Sequence, residues 1–103
     1  MKYQVYYARN PTFREDPALT CANLAETHVF LAEVEAASLS DVYWKMQGEV
    51  WSPHAEADAL IRAKGLHHTS MSVGDVIQAG DEFYEVAMIG FRPLSSGEEA
   101  PGG

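Results

Sequence analysis

Cysteine is scarce in this sequence. Cys21 is the single cysteine among 103 residues, so the sequence predicts neither an internal disulfide nor a metal site built from several cysteines. Four histidines are present, but none has the H-x-x-x-H or H-E-x-x-H spacing that brings two imidazoles to one ion on a helix. We therefore predict no bound metal and no cofactor.

Basic residues are scarce as well. Seven Lys and Arg stand against 15 Asp and Glu, which gives a net charge of −8 at pH 7. Nucleic-acid and anionic-membrane surfaces are bound mainly through Lys and Arg, so the composition argues against either as a direct partner. Long apolar runs and a signal-peptide pattern are also missing. We expect a cytoplasmic protein that its charge keeps soluble.

Period-two alternation of apolar residues predicts the strands. It marks residues 2–8 and 28–35, where Phe30, Ala32 and Val34 are expected on the buried face. A turn at Gly74 and Asp75 leads into a short third strand, and a hairpin turn then leads into a fourth strand over residues 82–91.

Two helices are predicted between these strand pairs. Ser38 is expected to cap the first helix, which Gly48 ends. Ser52 is expected to cap the second, which Gly65 ends. The order β-β-α-α-β-β predicts a single α+β domain over residues 1–94, with a small, mostly antiparallel sheet and both helices packed on one face. Residues 95–103 are expected to form a flexible acidic tail.

The densest polar stretch is predicted to be a turn. Its residues are of the Ser, His and Asp types used in nucleophilic catalysis: His67, His68, Thr69, Ser70, Ser72 and Asp75. The glycine-flanked serine of a nucleophile elbow is missing, and we expect Thr69 and Ser70 to satisfy backbone groups instead. The carboxylate pairs Glu33 with Glu35 and Glu82 with Glu85 are predicted to face solvent. We predict no catalytic residue.

The best candidates for a binding surface are three neighbouring residues, Trp44, Trp51 and His54. Trp44 lies off the apolar stripe of the first predicted helix, and Trp51 lies in the break between the helices. Tryptophans outside a core are enriched at interfaces. Closure of the core by Trp51 is the competing interpretation. Together with His68, Thr69, Ser70 and Asp75, these residues are the candidate binding set.

Residues 68–77, HTSMSVGDVI, are followed by Tyr84-Glu85-Val86 and Gly90-Phe91. This pattern resembles the small YodL-like proteins of bacterial plasmids and phages, which often occur beside antirestriction genes. The resemblance implies an accessory protein of a mobile element and no particular chemistry.

Three functions stay open. The first is a non-catalytic protein-interaction module, which the off-stripe tryptophans, the acidity and the missing catalytic pattern favour. The second is a nucleic-acid mimic that inhibits a DNA-binding host protein, which requires acids spaced along one face. The third is a ligand-binding protein or enzyme that uses His54, His68, Ser70 and Asp75 in one cleft. A homodimer through an unpaired sheet edge is also plausible.

Overall fold

A computed structural model describes residues 1–95 and confirms the α+β class. The sheet has five strands in the order β2-β1-β3-β4-β5, and every neighbouring pair is antiparallel. The strands are β1 (Lys2–Ala8), β2 (His28–Glu35), β3 (Val76–Ala79), β4 (Glu82–Val86) and β5 (Phe91–Pro93). The helices are α1 (Leu24–Thr27), α2 (Leu39–Lys45), α3 (Gly48–Trp51) and α4 (Asp58–Ala63).

The strand predicted over residues 82–91 is two strands joined by a loop. Val86 pairs with Phe91, and the intervening loop is closed by the N–H of Ala87, which donates to the carbonyl of Gly90 at 3.0 Å. Gly90 has a φ of +73°, a left-handed angle that glycine adopts without a steric cost. The chain therefore reverses here, and Phe91 starts an outer strand.

The start of α2 matches the prediction. Ser38 Oγ accepts a hydrogen bond from the N–H of Asp41 at 3.1 Å, which satisfies one of the orphan donors of the first turn. The predicted end of this helix at Gly48 is wrong, because α2 ends at Lys45. Gly48 instead begins α3, and its N–H donates to Ser70 Oγ at 2.8 Å.

The second predicted helix begins later than expected. Ser52 Oγ accepts from the N–H of Ala57 at 2.8 Å, so it closes an irregular turn and does not cap α4. Within that turn Ala55 has a φ of +63°, which no helix can contain. The helix therefore starts at Asp58. Its end agrees with the prediction, since Gly65 follows with a φ of +70°.

One face of the sheet carries the main core. Tyr3, Val5 and Tyr7 of β1 alternate on this face and are buried. They belong to the same cluster as Val42 of α2 and Ile61 of α4, so the two predicted helices do pack on one sheet face.

A β-bulge in β2 changes which residues of that strand are buried. Val5 pairs with Ala32 but Tyr6 pairs with Phe30, so Leu31 is an extra residue. An inserted residue moves the side chains that precede it to the opposite face. Phe30, predicted to be buried, is 44% exposed on the second face, while Leu31 is buried.

The second face of the sheet is covered by the loop between β1 and β2 and by α1. Leu19 of that loop and Leu24 of α1 are buried against Val76, and Tyr6 and Phe83 pack at the margin. The loop and α1 together thus cover a second, smaller core. Of the predicted tail, residues 96–103 lie outside the described residues.

Candidate functional site

Asp75 is the central hydrogen-bond acceptor of the predicted polar stretch. Its side chain is 1% exposed and accepts three hydrogen bonds. Oδ1 accepts from the N–H of Ala8 at 2.9 Å, and Oδ2 accepts from the N–H of Ser72 at 2.8 Å. Oδ2 also lies 2.8 Å from Nε2 of His68. Because the carboxylate can only accept, Nε2 of His68 carries the proton. Asp75 therefore fastens the 68–75 segment to the end of β1.

His68 lies between two aromatic rings. The Tyr7 ring stacks on it with centroids 4.5 Å apart, and Phe13 meets it edge-on at 6.0 Å. The His68 side chain is 9% exposed, and its Nδ1 is buried without a hydrogen-bond partner among residues 1–95. Burial, and then the charge of Asp75, raise the pKa of Tyr7 far above its ordinary value, so its hydroxyl stays a donor.

Thr69, Ser70 and Trp51 meet at the other end of the stretch. The carbonyl of Thr69 accepts from the Tyr7 hydroxyl at 2.7 Å and from Trp51 Nε1 at 3.0 Å. Ser70 Oγ accepts from the N–H of Gly48. These bonds tie the turn to α3 and β1. The Ser70 hydroxyl accepts from a backbone N–H as predicted, whereas Thr69 acts through its own carbonyl.

A Ser-His-Asp site is not assembled. His68 and Asp75 form a pair, but Ser70 Oγ is bound to Gly48 and not to the histidine. A general base also needs a nitrogen within reach of its substrate, and Nδ1 of His68 is buried. His54 is exposed on the loop before α4, and its backbone N–H donates to the Glu56 carboxylate.

The two tryptophans have different surroundings. Trp51 is half-buried, packs against the main core and donates its indole N–H to Thr69. Trp44 is 64% exposed on α2. Trp51 therefore closes one end of the main core, whereas the side chain of Trp44 is accessible at the surface.

Glu85 departs from its prediction. It was expected to face solvent, but its side chain is 1% exposed. Oε1 accepts from Nε and Nη2 of Arg92 at 3.0 and 2.6 Å, and Oε2 accepts from the N–H of Asp16 at 2.9 Å. Glu85 faces the second side of the sheet, which the loop from β1 covers. The sequence signal was Arg92, the one cation close enough to pair across the short β4–β5 hairpin.

The most exposed apolar residues lie at the tip of that hairpin. Met88 is 70% and Ile89 is 94% exposed. Beside them a groove of about 330 Å³ separates the hairpin from α2, with Ser40, Tyr43 and Phe91 among its walls. We call Met88, Ile89 and these three groove residues the hairpin surface. The sequence pattern did not indicate this surface, because the strand predicted over residues 82–91 placed Met88 and Ile89 in ordinary alternation.

Comparison with protein-family models, curated proteins and solved structures finds no match for the chain. Within residues 1–95, no group of three His, Cys, Asp or Glu side chains is placed to hold a metal ion. In the same part of the chain, no helix has the length and apolar character needed to cross a membrane.

Proposed function

We propose that the chain is a non-catalytic protein-interaction module that binds a partner protein through the hairpin surface. The observation that carries the proposal is the exposure of Met88 and Ile89, consecutive large apolar side chains at a loop tip. Single exposed apolar residues are common on soluble proteins. Two adjacent ones beside a groove form the kind of patch that a partner buries.

The partner we propose is a different protein with a basic surface around an apolar anchor. The chain carries a net charge of −8, so a second copy would be repelled over long range and a basic protein attracted. The groove beside Tyr43 and Phe91 would receive the partner's anchor, while Met88 and Ile89 pack around it. Exposed Trp44 lies four residues after Ser40 on α2 and so on the same helix face, where it extends the contact area.

The biological setting is part of the same proposal. The resemblance of residues 68–91 to YodL-like proteins supports a cytoplasmic accessory protein of a plasmid or phage. The nucleic-acid mimic is the alternative proposal: Asp75 and Glu85 are buried and cannot stand in for surface phosphates, so the other acids would have to supply a continuous stripe.

A paired-variant capture experiment tests the proposal. Wild-type protein and the double variant Met88→Ser, Ile89→Ser are immobilised and exposed to a bacterial cell extract. Proteins retained only by the wild type are identified, purified and titrated against both forms by calorimetry. We expect the double variant to bind at least about 30-fold more weakly, the loss that corresponds to a hot spot of about 2 kcal/mol.

Leu60→Ser is the matched control, because Leu60 is an exposed apolar residue of α4 and lies outside the hairpin surface. It should bind the partner as the wild type does. The proposal is contradicted if Leu60→Ser loses as much affinity for the partner as the double variant does. It is also contradicted if no purified protein binds with an affinity that depends on Met88 and Ile89. Sedimentation of the free protein separately tests the homodimer: a dimer that the double variant abolishes would make a second copy the occupant.

A further inference from the structure

Two cavities adjoin on the second face of the sheet, away from the hairpin surface. The larger, of about 440 Å³, has walls of Tyr6, Leu24, Phe30 and Phe83. The smaller, of about 270 Å³, is lined by the loop after β1 and includes Arg14. Arg9 and His28 line both, so the two cavities meet at these side chains. The volume of the larger cavity is within the range of small-molecule sites, and that of the smaller lies just below it.

The larger cavity has aromatic walls. The ring of Tyr6 lies 5.7 Å from that of Phe30 and 6.0 Å from that of Phe83, and both pairs are inclined. Phe30 remains 44% exposed because the bulge in β2 turns it to this face. A flat aromatic occupant would bury this surface and meet the rings in the tilted or edge-on geometries that aromatic pairs favour.

The smaller cavity offers cationic groups that other residues leave unused. Among residues 1–95, Arg14 has no ion pair or side-chain hydrogen bond, and Arg9 makes only a 3.5 Å contact to the carbonyl of Glu26. Arg92, by contrast, is bound to Glu85. A guanidinium presents a planar fork of donors that fits a carboxylate or phosphate.

Acidic residues also line the smaller cavity, and they oppose the binding of an anion to different degrees. Glu85 lines it, but its oxygens are taken by Arg92 and by the N–H of Asp16. Asp16 accepts from the N–H of Ala18 through Oδ1. Glu26 is exposed to water on α1, where its charge is screened. The boundary with the larger cavity is therefore where an anionic group finds Arg9 without a buried competing charge.

His28 fixes that boundary. It is buried, and its Nε2 lies 2.7 Å from the carbonyl of Gly74, so Nε2 carries the proton and donates. Nδ1 is 2.8 Å from the Thr27 hydroxyl. Both ring nitrogens are engaged, so His28 is a fixed part of the boundary that the two cavities share.

We propose that the adjoining cavities bind a small aromatic anion at their shared boundary. Its ring occupies the aromatic-walled cavity, and its carboxylate or phosphate lies at Arg9, with Arg14 as a second donor. The proposed contacts include none of the five residues of the hairpin surface, although Val73 lines both the smaller cavity and the groove beside the hairpin.

The single cysteine reports on the site, because Cys21 lines the larger cavity and is partly exposed. The experiment measures the rate at which neutral iodoacetamide alkylates Cys21, with and without naphthoate. Ligand efficiencies for small molecules give an expected Kd of about 1 mM for a probe of this size. At about 5 mM naphthoate, five times this Kd, we therefore expect alkylation to slow roughly sixfold if the bound form is fully protected. Backbone amide shifts measured by NMR should cluster around Arg9, Leu24 and Phe30.

Two comparisons make the test specific. Naphthamide has the same rings without the charge and should protect Cys21 much less. Arg9→Gln should weaken naphthoate binding about tenfold, the loss of one charge-assisted contact, and the exposed Arg62→Gln of α4 should not. Protection with these differences supports the proposal. The proposal is overturned if naphthoate does not protect Cys21, or if naphthamide protects it equally. It is also overturned if Arg62→Gln weakens binding as much as Arg9→Gln does, or if the amide shifts are centred elsewhere.

Discussion

Removal of Arg92 should reveal how strongly the buried ion pair holds the fold. Glu85 is 1% exposed and takes two of its three hydrogen bonds from the Arg92 guanidinium. Arg92→Met keeps most of the side-chain volume but leaves a buried carboxylate without its counter-charge. Breaking a buried pair in this way costs about 3–5 kcal/mol. We expect about 3 kcal/mol, because Arg92 is 28% exposed and water can partly replace it.

Urea unfolding followed by tryptophan fluorescence measures this loss. Trp51 is half-buried against the core, so its emission should change on unfolding. With a urea dependence typical of a small domain, about 1.5 kcal/mol per molar, the midpoint should fall by about 2 M. Arg62→Met, on the exposed face of α4, removes the same charge and should cost less than about 0.5 kcal/mol.

The double variant Glu85→Met, Arg92→Met separates the pair from the individual side chains. Apolar residues of similar volume often replace a buried ion pair with little loss. One cost remains, because the N–H of Asp16 loses its acceptor, which is about 1–3 kcal/mol. The double variant should therefore be at least as stable as Arg92→Met alone. A midpoint for Arg92→Met equal to that of Arg62→Met, or a double variant that loses more than Arg92→Met does, would refute the reasoning.

Two further predictions concern the backbone and pH. Gly74→Ala should destabilise by about 2 kcal/mol or more in thermal unfolding, because φ is +100° and the new Cβ would lie 3.1 Å from the Arg14 carbonyl oxygen. Gly65→Ala, with φ +70° and no atom within 4 Å of its Cβ, should cost less; equal losses would contradict the steric argument. The hydrogen bond from the Ala37 N–H, and then Lys45, lower the pKa of Asp41. Because the folded-state pKa is lowered, the ionised Asp41 stabilises the fold fully at pH values above the ordinary pKa of 3.8. This stabilisation is lost as the pH falls through the folded-state pKa. Wild type should therefore exceed Asp41→Asn in urea midpoint at neutral pH and approach it near pH 2; a constant gap would count against this account.

Local sequence signals predicted the elements whose cause is local. Ser38 caps α2 because its hydroxyl needs only a backbone N–H three residues away. Gly65 and Gly74 have positive φ values because the chain must turn within one residue. Ser52 shows the limit of the same reasoning. Its hydroxyl does bind a backbone N–H, but that of Ala57, five residues on, so an identical local signal produces a turn in place of a helix start.

Features set by distant parts of the chain could not be predicted from local patterns. The bulge at Leu31 depends on how β2 pairs with β1, and it reverses the face of Phe30. Glu85 is buried because the loop around Asp16, 69 residues earlier, covers its side of the sheet. Within the candidate set, His68 and Asp75 are seven residues apart and meet in one turn, whereas the positions of Trp44 and His54 relative to them depend on tertiary packing. The apolar hairpin tip was not predicted for the same reason, because its composition is compatible with a strand as well as with a loop.

The buried ion pair also bears on the proposed function, because it lies at the base of the hairpin surface. Glu85 and Arg92 are direct cross-strand partners, and the next pair, Val86 with Phe91, closes the loop that carries Met88 and Ile89. A loop tip held by a buried, hydrogen-bonded pair loses little conformational freedom when a partner covers it, so less binding free energy is spent on ordering. Arg92 is therefore expected to affect partner affinity without touching the partner. Its loss would leave Met88 and Ile89 equally exposed but less fixed, and binding would weaken through entropy and not through contact area. In the proposed interaction, this connection between a buried acid and an exposed apolar tip would let an acidic chain present a fixed hydrophobic contact to its partner.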